Sequence, residues 1–472
     1  MKKLLAFLLS LLLVVSSIGT VTAVATTDTA IVYGDVDSNG EINNKDLAML
    51  MQYINYWGIS IDTDAADVNA DGEVNNRDYA LLMQYVNEWD VTLGSQTVIP
   101  PSTDAVHTPL ATDEYYQYVN LNATQQAIYL DILDAIKEMR NVIDVSKYDI
   151  SFDEGPLIFK SVLADYPEFF FVSRHLSATR HPEDTNKITA LFIYYTDGET
   201  VDKIDSNGTL TVIANRDTIA KKIKQFNQKV EDVLKTIPVN SEDIVKEKVI
   251  YDWIIDNTTY DYDSANKPDA QFGEAMGHAW DIYGALIDGK IVCEGYAKAF
   301  VYLCHQVGIN ATTVSGHCDG IGHMWNAVEI EKEWYMIDVT WDDVDLDFPF
   351  VNYFNNTTKV FNNSRTTDTM LAVPVCTATK YTYENAFTIN ISNGQLPNNY
   401  KTIIDRVCKG NGKWITFYID MDKGVETEWL RKNVWNTDSP LHKYINEKGY
   451  NIKISSFDST LFYCYLHCKL EK

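Results

Sequence analysis

Cations are scarce in this 472-residue chain: 39 Lys and Arg stand against 66 Asp and Glu, a net charge of −27. A surface of that sign repels phosphate backbones and anionic lipid, so neither nucleic acid nor a membrane surface is an expected partner. Cysteine is sparse as well. The seven present (Cys293, Cys304, Cys318, Cys376, Cys408, Cys464 and Cys468) are too few for a disulfide-held scaffold at this length, and their spacing fixes no pairing. An odd count in an exported chain leaves at least one free thiol, for which Cys293 is the candidate. Long apolar runs are missing except from Leu4 to Val15, which follows Lys2 and Lys3 and precedes the small residues Ala23 and Ala25. That is the pattern of a secretory signal peptide over residues 1–25, and the run is short for a membrane span. The expectation is an exported protein of two or three domains, with 46% apolar residues to build its cores.

What is present begins with a repeat. GDVDSNGEINNKDLAMLMQYIN from Gly34 returns as ADVNADGEVNNRDYALLMQYVN from Ala66, an offset of 32 residues. Each copy holds a loop with short carboxylates and amides at alternating positions, which can wrap one hard cation in oxygen as calcium requires. The first set is Asp35, Asp37, Asn39, Asn43 and Asp46, with Glu41 acting through its backbone carbonyl and Gly40 at the sharp turn. The second is Asp67, Asn69, Asp71, Asn75 and Asp78, with Glu73 and Gly72 in the equivalent places. A helical pattern follows each loop and none precedes the first, which departs from the EF-hand. Residues 31–93 thereby resemble a type I dockerin. The resemblance implies two structural calcium ions and a cohesin module of a scaffoldin or cell-surface protein as partner. It also assigns cohesin contact to Asn44, Lys45, Asn76 and Arg77; the Ser-Thr pair of the best-known dockerins is absent there. Residues 94–112, rich in Ser, Thr and Pro, read as an extended linker.

Residues 113–240 are expected to form an α+β region. Asn122 and Gln125 suit a capping box ahead of Ile128, Ile132, Leu133 and Ile136. DYPEFFFVS suggests a turn into an aromatic strand, ITALFIYY a second strand, and DSNG a turn. SEDIVKEKVIYDWIIDN from Ser241 suggests a helix with Ile244, Val249, Trp253 and Ile254 on one face. Tyr260, just beyond it, is a minor candidate for the border of a cleft.

Chemistry concentrates in two segments. In VCEGYAKAF, Cys293 opens a helical pattern that Gly308 ends, and a helix N-terminus favours the thiolate and offers backbone N–H groups to an oxyanion. HMWNAVEIE and EWYMIDVTW read as a hairpin. If Glu331–Lys332 forms a two-residue turn, Asp338 lies opposite Trp325 and diagonal to His323 on one face, whereas a slip of one residue would separate them. Cys293, His323 and Asp338 then supply a nucleophile, its base and the group that orients the base, suited to acyl transfer through a thioester. A zinc reading of His305, His317, Cys318 and His323 matches no standard ligand spacing. Trp325, Trp334 and Trp341 are expected to pack the hairpin, and Asp342 and Asp343 to be solvated or turn residues.

YGALIDGKIVCEGYAKAFVYLC, GHMWNA and WYMIDVTWDD, supported by KVIYDWIIDNTTYD and NYFNNT, resemble the transglutaminase-like cysteine peptidase superfamily. The resemblance implies the Cys293–His323–Asp338 triad and an α+β, papain-like core over residues 241–370, a Cys-bearing helix packed on an antiparallel sheet, behind the small all-α dockerin. It implies an aromatic donor to the oxyanion, with Trp280 and Tyr283 as possible counterparts, and no cofactor for catalysis. Residues 371–472 look like a further α+β region of unassigned role. The expected function is an exported cysteine hydrolase or peptidase acting on peptide or protein amides within a cellulosome-type complex. A protein-crosslinking acyltransferase and an inactive binding module are the alternatives.

Overall fold

The computed structural model describes residues 31–54, 59–70, 72, 74–86, 93–94, 107–204, 209–267, 274–346, 351–410, 412–420, 423–459 and 463–472. The expected signal segment 1–25, Asp71, Glu73, the DSNG turn and most of the linker 94–112 lie outside the described residues, as do the side chains of Asn76, Arg77 and Cys464. The chain divides into two compact units, Met1–Thr103 and Asp104–Lys472.

In the first unit each acidic loop runs into a helix: α1 (Asn44–Ile54) and α3 (Asn76–Val86), with the short α2 (Thr63–Ala66) between them. Gly40 and Gly72 both sit at φ 90°, where a Cβ would be strained, so the turn requires glycine in each copy. The repeat folds on itself: Val36 and Val68 from the two loops meet Leu50, Leu81 and Leu82 from the helices in one small core. Asp62 caps α2, accepting from Asp64 N and Ala65 N at 3.1 Å each.

The second unit mixes helix and sheet. Asn122 and Gln125 form the expected capping box at the start of α4 (Ala123–Lys137). A three-stranded antiparallel sheet combines β1 (Val142–Asp144), β2 (Val172–Arg180) and β3 (Ile188–Tyr195) in the order β1-β3-β2, with α5 (Glu154–Asp165) between its first two strands. The aromatic strand expected from DYPEFFFVS begins only at Val172. Phe170 and Phe171 are both buried, which alternation in a strand with one wet face forbids, and turn bonds from Phe169 N to Tyr166 O (3.1 Å) and from Val172 N to Phe169 O (2.9 Å) hold the segment instead.

Helices α6 (Arg216–Leu234) and α7 (Asp243–Asn257) lead to a short parallel pair, β4 (Thr259–Tyr260) and β5 (Lys290–Ile291). Directly after β5 comes α8 (Cys293–Gln306), buried nearly all round, with Tyr296, Phe300, Val301, Leu303 and Cys304 in the core. It packs on an antiparallel sheet of β6 (Ala311–Cys318), β7 (Ile321–Ile330), β8 (Glu333–Ile337) and β9 (Arg365–Thr367), ordered β8-β7-β6-β9. Asn326 Nδ2 donates to Ala297 O at 2.9 Å and ties β7 to that helix. Behind β8 a single turn, α9 (Val339–Asp342), begins at Asp338.

The last hundred residues belong to the same core. β10 (Thr388–Ile391), α10 (Tyr400–Lys409), β11 (Trp414–Asp420), α11 (Pro440–Glu447), β12 (Asn451–Ser459) and β13 (Tyr463–Glu471) build a sheet ordered β10-β11-β13-β12, parallel only between β10 and β11. Ile389, Ile403 and Phe417 share one continuous cluster with Val245, Tyr251 and Phe300. Arg406 also pairs with Glu242 at the start of α7, 2.8 Å away.

The β7–β8 turn has φ 52° at Glu331 and 67° at Lys332, a two-residue turn with both central residues left-handed, which favours Asn-Gly over Glu-Lys. Replacing the pair (E331N/K332G) should therefore raise stability, by about 1 kcal/mol, read as a higher denaturant midpoint at unchanged slope. A lower midpoint would contradict this account of the turn.

Candidate functional site

The chain entering the nucleophile is fixed from two sides. Tyr260 pairs with Ile291 in the β4–β5 bridge, and Val292 N donates to Ala279 O at 2.9 Å. Cys293 is then the first residue of α8, partly exposed. Gly295 is needed within the same first turn, because a Cβ there would lie 2.8 Å from the Ile291 side chain and 3.1 Å from Ala279 O.

The hairpin has the expected register, Glu333 opposite Ile330 through Ile337 opposite Asn326, and it brings His323 and Asp338 together. His323 Nε2 lies 2.8 Å from Asp338 Oδ2, and the Cys293 thiol is near enough to the same ring to favour its charged form. Asp338 has no exposure to water, and the His323 side chain retains 7%. The carboxylate has two further partners: Arg365 Nη2 donates to Oδ2 at 2.6 Å and Trp341 N to Oδ1 at 3.2 Å. An anion already held by a guanidinium accepts from the ring, so Nε2 carries its proton and Nδ1 is left for the thiol. Burial is the largest influence on His323 and opposes its charge, but hydrogen bonds to Asp338 and Cys293, with the charge on both, outweigh it and lift the imidazole to about 9. Burial prevails at other thiols: those of Cys376 and Cys468 are pushed up to about 12 and that of Cys408 to about 11.

An open cleft of about 690 Å³ lies beside the first turns of α8, with Phe170, Trp280, Glu294 and Lys298 among its walls. Glu294, next to the thiol in sequence, is paired there with Lys298 at 2.7 Å and Arg174 at 3.2 Å.

Other residues singled out in the sequence fall differently. Tyr283 is buried and donates its hydroxyl to Gln225 Oε1 at 2.8 Å, so that group is already committed. The Trp280 ring lies under Arg174, 5.6 Å from its guanidinium carbon. Tyr260 is the phenol near the triad: burial chiefly, then the charges of Cys293 and others including Asp338, raise it to about 12. Trp325 is buried behind the hairpin, whereas Trp341 is 37% exposed and its ring centre lies 5.9 Å from that of His323. His305 is buried, with Nε2 2.8 Å from Ala311 O. Asp342 is not solvated. It is buried and accepts from Tyr251 Oη (2.9 Å), Asn352 N (2.9 Å) and Tyr353 N (3.0 Å); burial outweighs those bonds and raises it to about 7. Asp343 is half-buried against the Tyr296 hydroxyl. The residue that sequence reasoning missed is Arg365, a lone basic residue in an edge strand with no motif around it.

The acidic loops match bond for bond where both are described. Gly40 N donates to Asp35 Oδ2 at 2.8 Å, and Gly72 N to Asp67 Oδ2 at 2.9 Å. Asp46 accepts from Asp37 N and Asn43 N at 3.2 and 2.9 Å; Asp78 accepts from Asn69 N and Asn75 N at 3.2 and 2.8 Å. Oxygens of Asp35, Asp37 and Asp46 lie within 4.8 Å of one another, and Asp35 and Asp46 are buried. A buried, all-oxygen anionic set of this kind fits calcium. Asn44 and Lys45 are exposed at the start of α1, the lysine 2.6 Å from Asp37 Oδ2.

Comparison with known proteins agrees with this division. Residues 33–87 match the type I dockerin domain and residues 231–339 match the transglutaminase-like superfamily. The chain joins a type I dockerin to a transglutaminase-like domain. Type I dockerins bind calcium, and a dockerin implies a cohesin partner. The kyphoscoliosis peptidase of Mus musculus is 30% identical over 128 residues, covering 25% of this chain and 18% of that protein. The Homo sapiens protein of the same name is 31% identical over 111 residues, covering 21% and 16%. The chain thus spans less than a fifth of these relatives' length. A crystal structure of a TGase aligns with 45% of this chain and 52% of its own, at 18% identity and a TM-score of 0.23. Among the described residues no helix is long and apolar enough to cross a membrane.

The folded value for His323 lies above the ordinary value of about 6.5. The stability contributed by its proton is therefore complete below about pH 6.5 and lost as pH rises through about 9. An NMR titration of the His323 ring in the full chain should give a midpoint near 9, and D338N should lower it by about 1–2 pH units. A midpoint at or below 6.5 in the unaltered chain would contradict the arrangement described.

Proposed function

We propose that this protein is an exported cysteine hydrolase that cleaves amide bonds in peptides or proteins through an acyl-thioester. Its dockerin carries it to a cohesin in an extracellular, cellulosome-type complex. The observation that supports this most directly is one imidazole that is hydrogen-bonded to a buried carboxylate and has a partly exposed thiol close enough to influence its charge.

In this reading His323 takes the Cys293 proton at Nδ1, giving a thiolate–imidazolium pair, while Asp338 holds Nε2–H. The thiolate attacks the amide carbonyl, and the developing oxyanion meets the Cys293 N–H at the start of α8, one of the amides a helix leaves without an internal partner. His323 then protonates the leaving amine. Water, activated by the same imidazole, releases the acid and restores the thiol. Two calcium ions, one held by Asp35, Asp37, Asn39, Glu41, Asn43 and Asp46 and the other by Asp67, Asn69, Asp71, Glu73, Asn75 and Asp78, fold the docking module. Asn44, Lys45, Asn76 and Arg77 meet the cohesin. Residues 1–25 direct export.

Turnover of a Gln-containing peptide library by the full chain, with a primary amine present, tests the acceptor. Release of free acid is expected, and C293A should lower the rate by about 10³-fold or more. Accumulation of amine adducts would make the protein an acyltransferase, and no turnover by the folded chain would leave a binding module. Chelating calcium should abolish cohesin binding and leave peptide turnover unchanged. Loss of turnover together with docking would show that the metal serves the catalytic unit.

A further inference from the structure

Arg365 lies outside the segment that matches the transglutaminase-like superfamily, residues 231–339. Pairing of β9 with β6, Arg365 opposite Cys318, carries it under the hairpin. Its side chain is 1% exposed and its guanidinium carbon lies 4.4 Å from the Tyr353 ring centre, 4.6 Å from Trp341 and 4.7 Å from Phe361. Nη2 donates to Asp338 Oδ2, the same oxygen that receives His323 Nε2. A salt bridge serving packing alone has no need of that particular oxygen.

We propose that Arg365 is a positioning residue of this site: by sharing Asp338 Oδ2 with His323 it holds the carboxylate in place, fixes which ring nitrogen meets Cys293, and limits how tightly the ring holds its second proton. The inference rests on the function proposed above. Arginine stays charged throughout the working pH range, so its hold on Asp338 Oδ2 persists when His323 is neutral, and the Nε2–H tautomer persists through the catalytic cycle. The guanidinium also stands beside the imidazolium and opposes it, which leaves His323 able to release its proton to the leaving amine. Among the described residues, the ionisable groups around this cluster include Cys293 and Tyr260 on the thiol side, Tyr353 and Cys318 beside Arg365, Asp319 next to Cys318, and Asp342 beyond Asp338.

The test is the His323 titration midpoint, read by NMR in the full chain, together with the alkaline limb of amide turnover. R365M should move both upward by about one pH unit, R365K should leave them near their original position, and in a D338N background R365M should move the midpoint upward by less, because only the direct repulsion between guanidinium and imidazolium is then removed. Falling turnover with an unmoved midpoint in R365M would reduce Arg365 to a packing residue and overturn the proposal. Should R365M fail to fold by circular dichroism, the unaltered chain decides: the Arg365 guanidinium ¹⁵N resonances should titrate with the His323 midpoint, and their indifference to it would overturn the proposal equally. The midpoints need no turnover. An inactive chain in which Arg365 and His323 titrate together would sink the hydrolase and spare this linkage.

Discussion

A carboxylate sealed from water must be answered by its surroundings, and Asp338 is answered from three places in the chain. His323 arrives on β7, Arg365 on β9, and Trp341 N from the turn that Asp338 itself begins. A buried charge left without partners is destabilising by several kcal/mol, so hairpin register, edge-strand pairing and the α9 turn are bound to one another through this group. The second acid of the turn extends the constraint. Asp342 holds Tyr251 on α7 and the backbone at Asn352 and Tyr353, so the ring cage around Arg365 and the helix behind it are set by the same few residues.

What the sequence disclosed follows the range of the interactions. The acidic loops, the start of α8, the Asn122 capping box and the hairpin register are written within a dozen or so residues, where glycine placement, capping and period-two alternation act locally. Arg365 was not legible, because its role appears only when a distant edge strand joins the sheet. Asp342 lies in a turn, as one of its two expected settings had it, but is not wet, for a similar long-range reason: acids in turns are ordinarily solvated, and nothing local announces that α7 will cover this one. Phe169–Phe171 look like a strand by composition, yet two consecutive buried aromatics demand a turn. Tyr260 gave only a faint signal, since its nearness to Cys293 comes from the two-residue bridge with β5.

The boundaries of family resemblance and of physical integrity do not coincide. The matched segment ends at residue 339, while Arg365 and the sheet of β10 to β13 lie beyond it. Those later residues share one apolar cluster with α7 and α8, so the part of the chain without recognisable motifs helps to hold the part that has them. The dockerin unit is different in kind. Its own small core, built from equivalent residues of the two repeats, accounts for its fold without the rest.

The central claim is that one thiol among several is held reactive by its neighbours. It is tested most directly by measuring site-resolved alkylation rates across the cysteines of the folded full chain near neutral pH, by mass spectrometry, with and without H323A. The account predicts that Cys293 is modified far ahead of Cys304, Cys376, Cys408 and Cys468, and that the substitution removes this lead. Equal rates, or a Cys293 rate indifferent to His323, would contradict it.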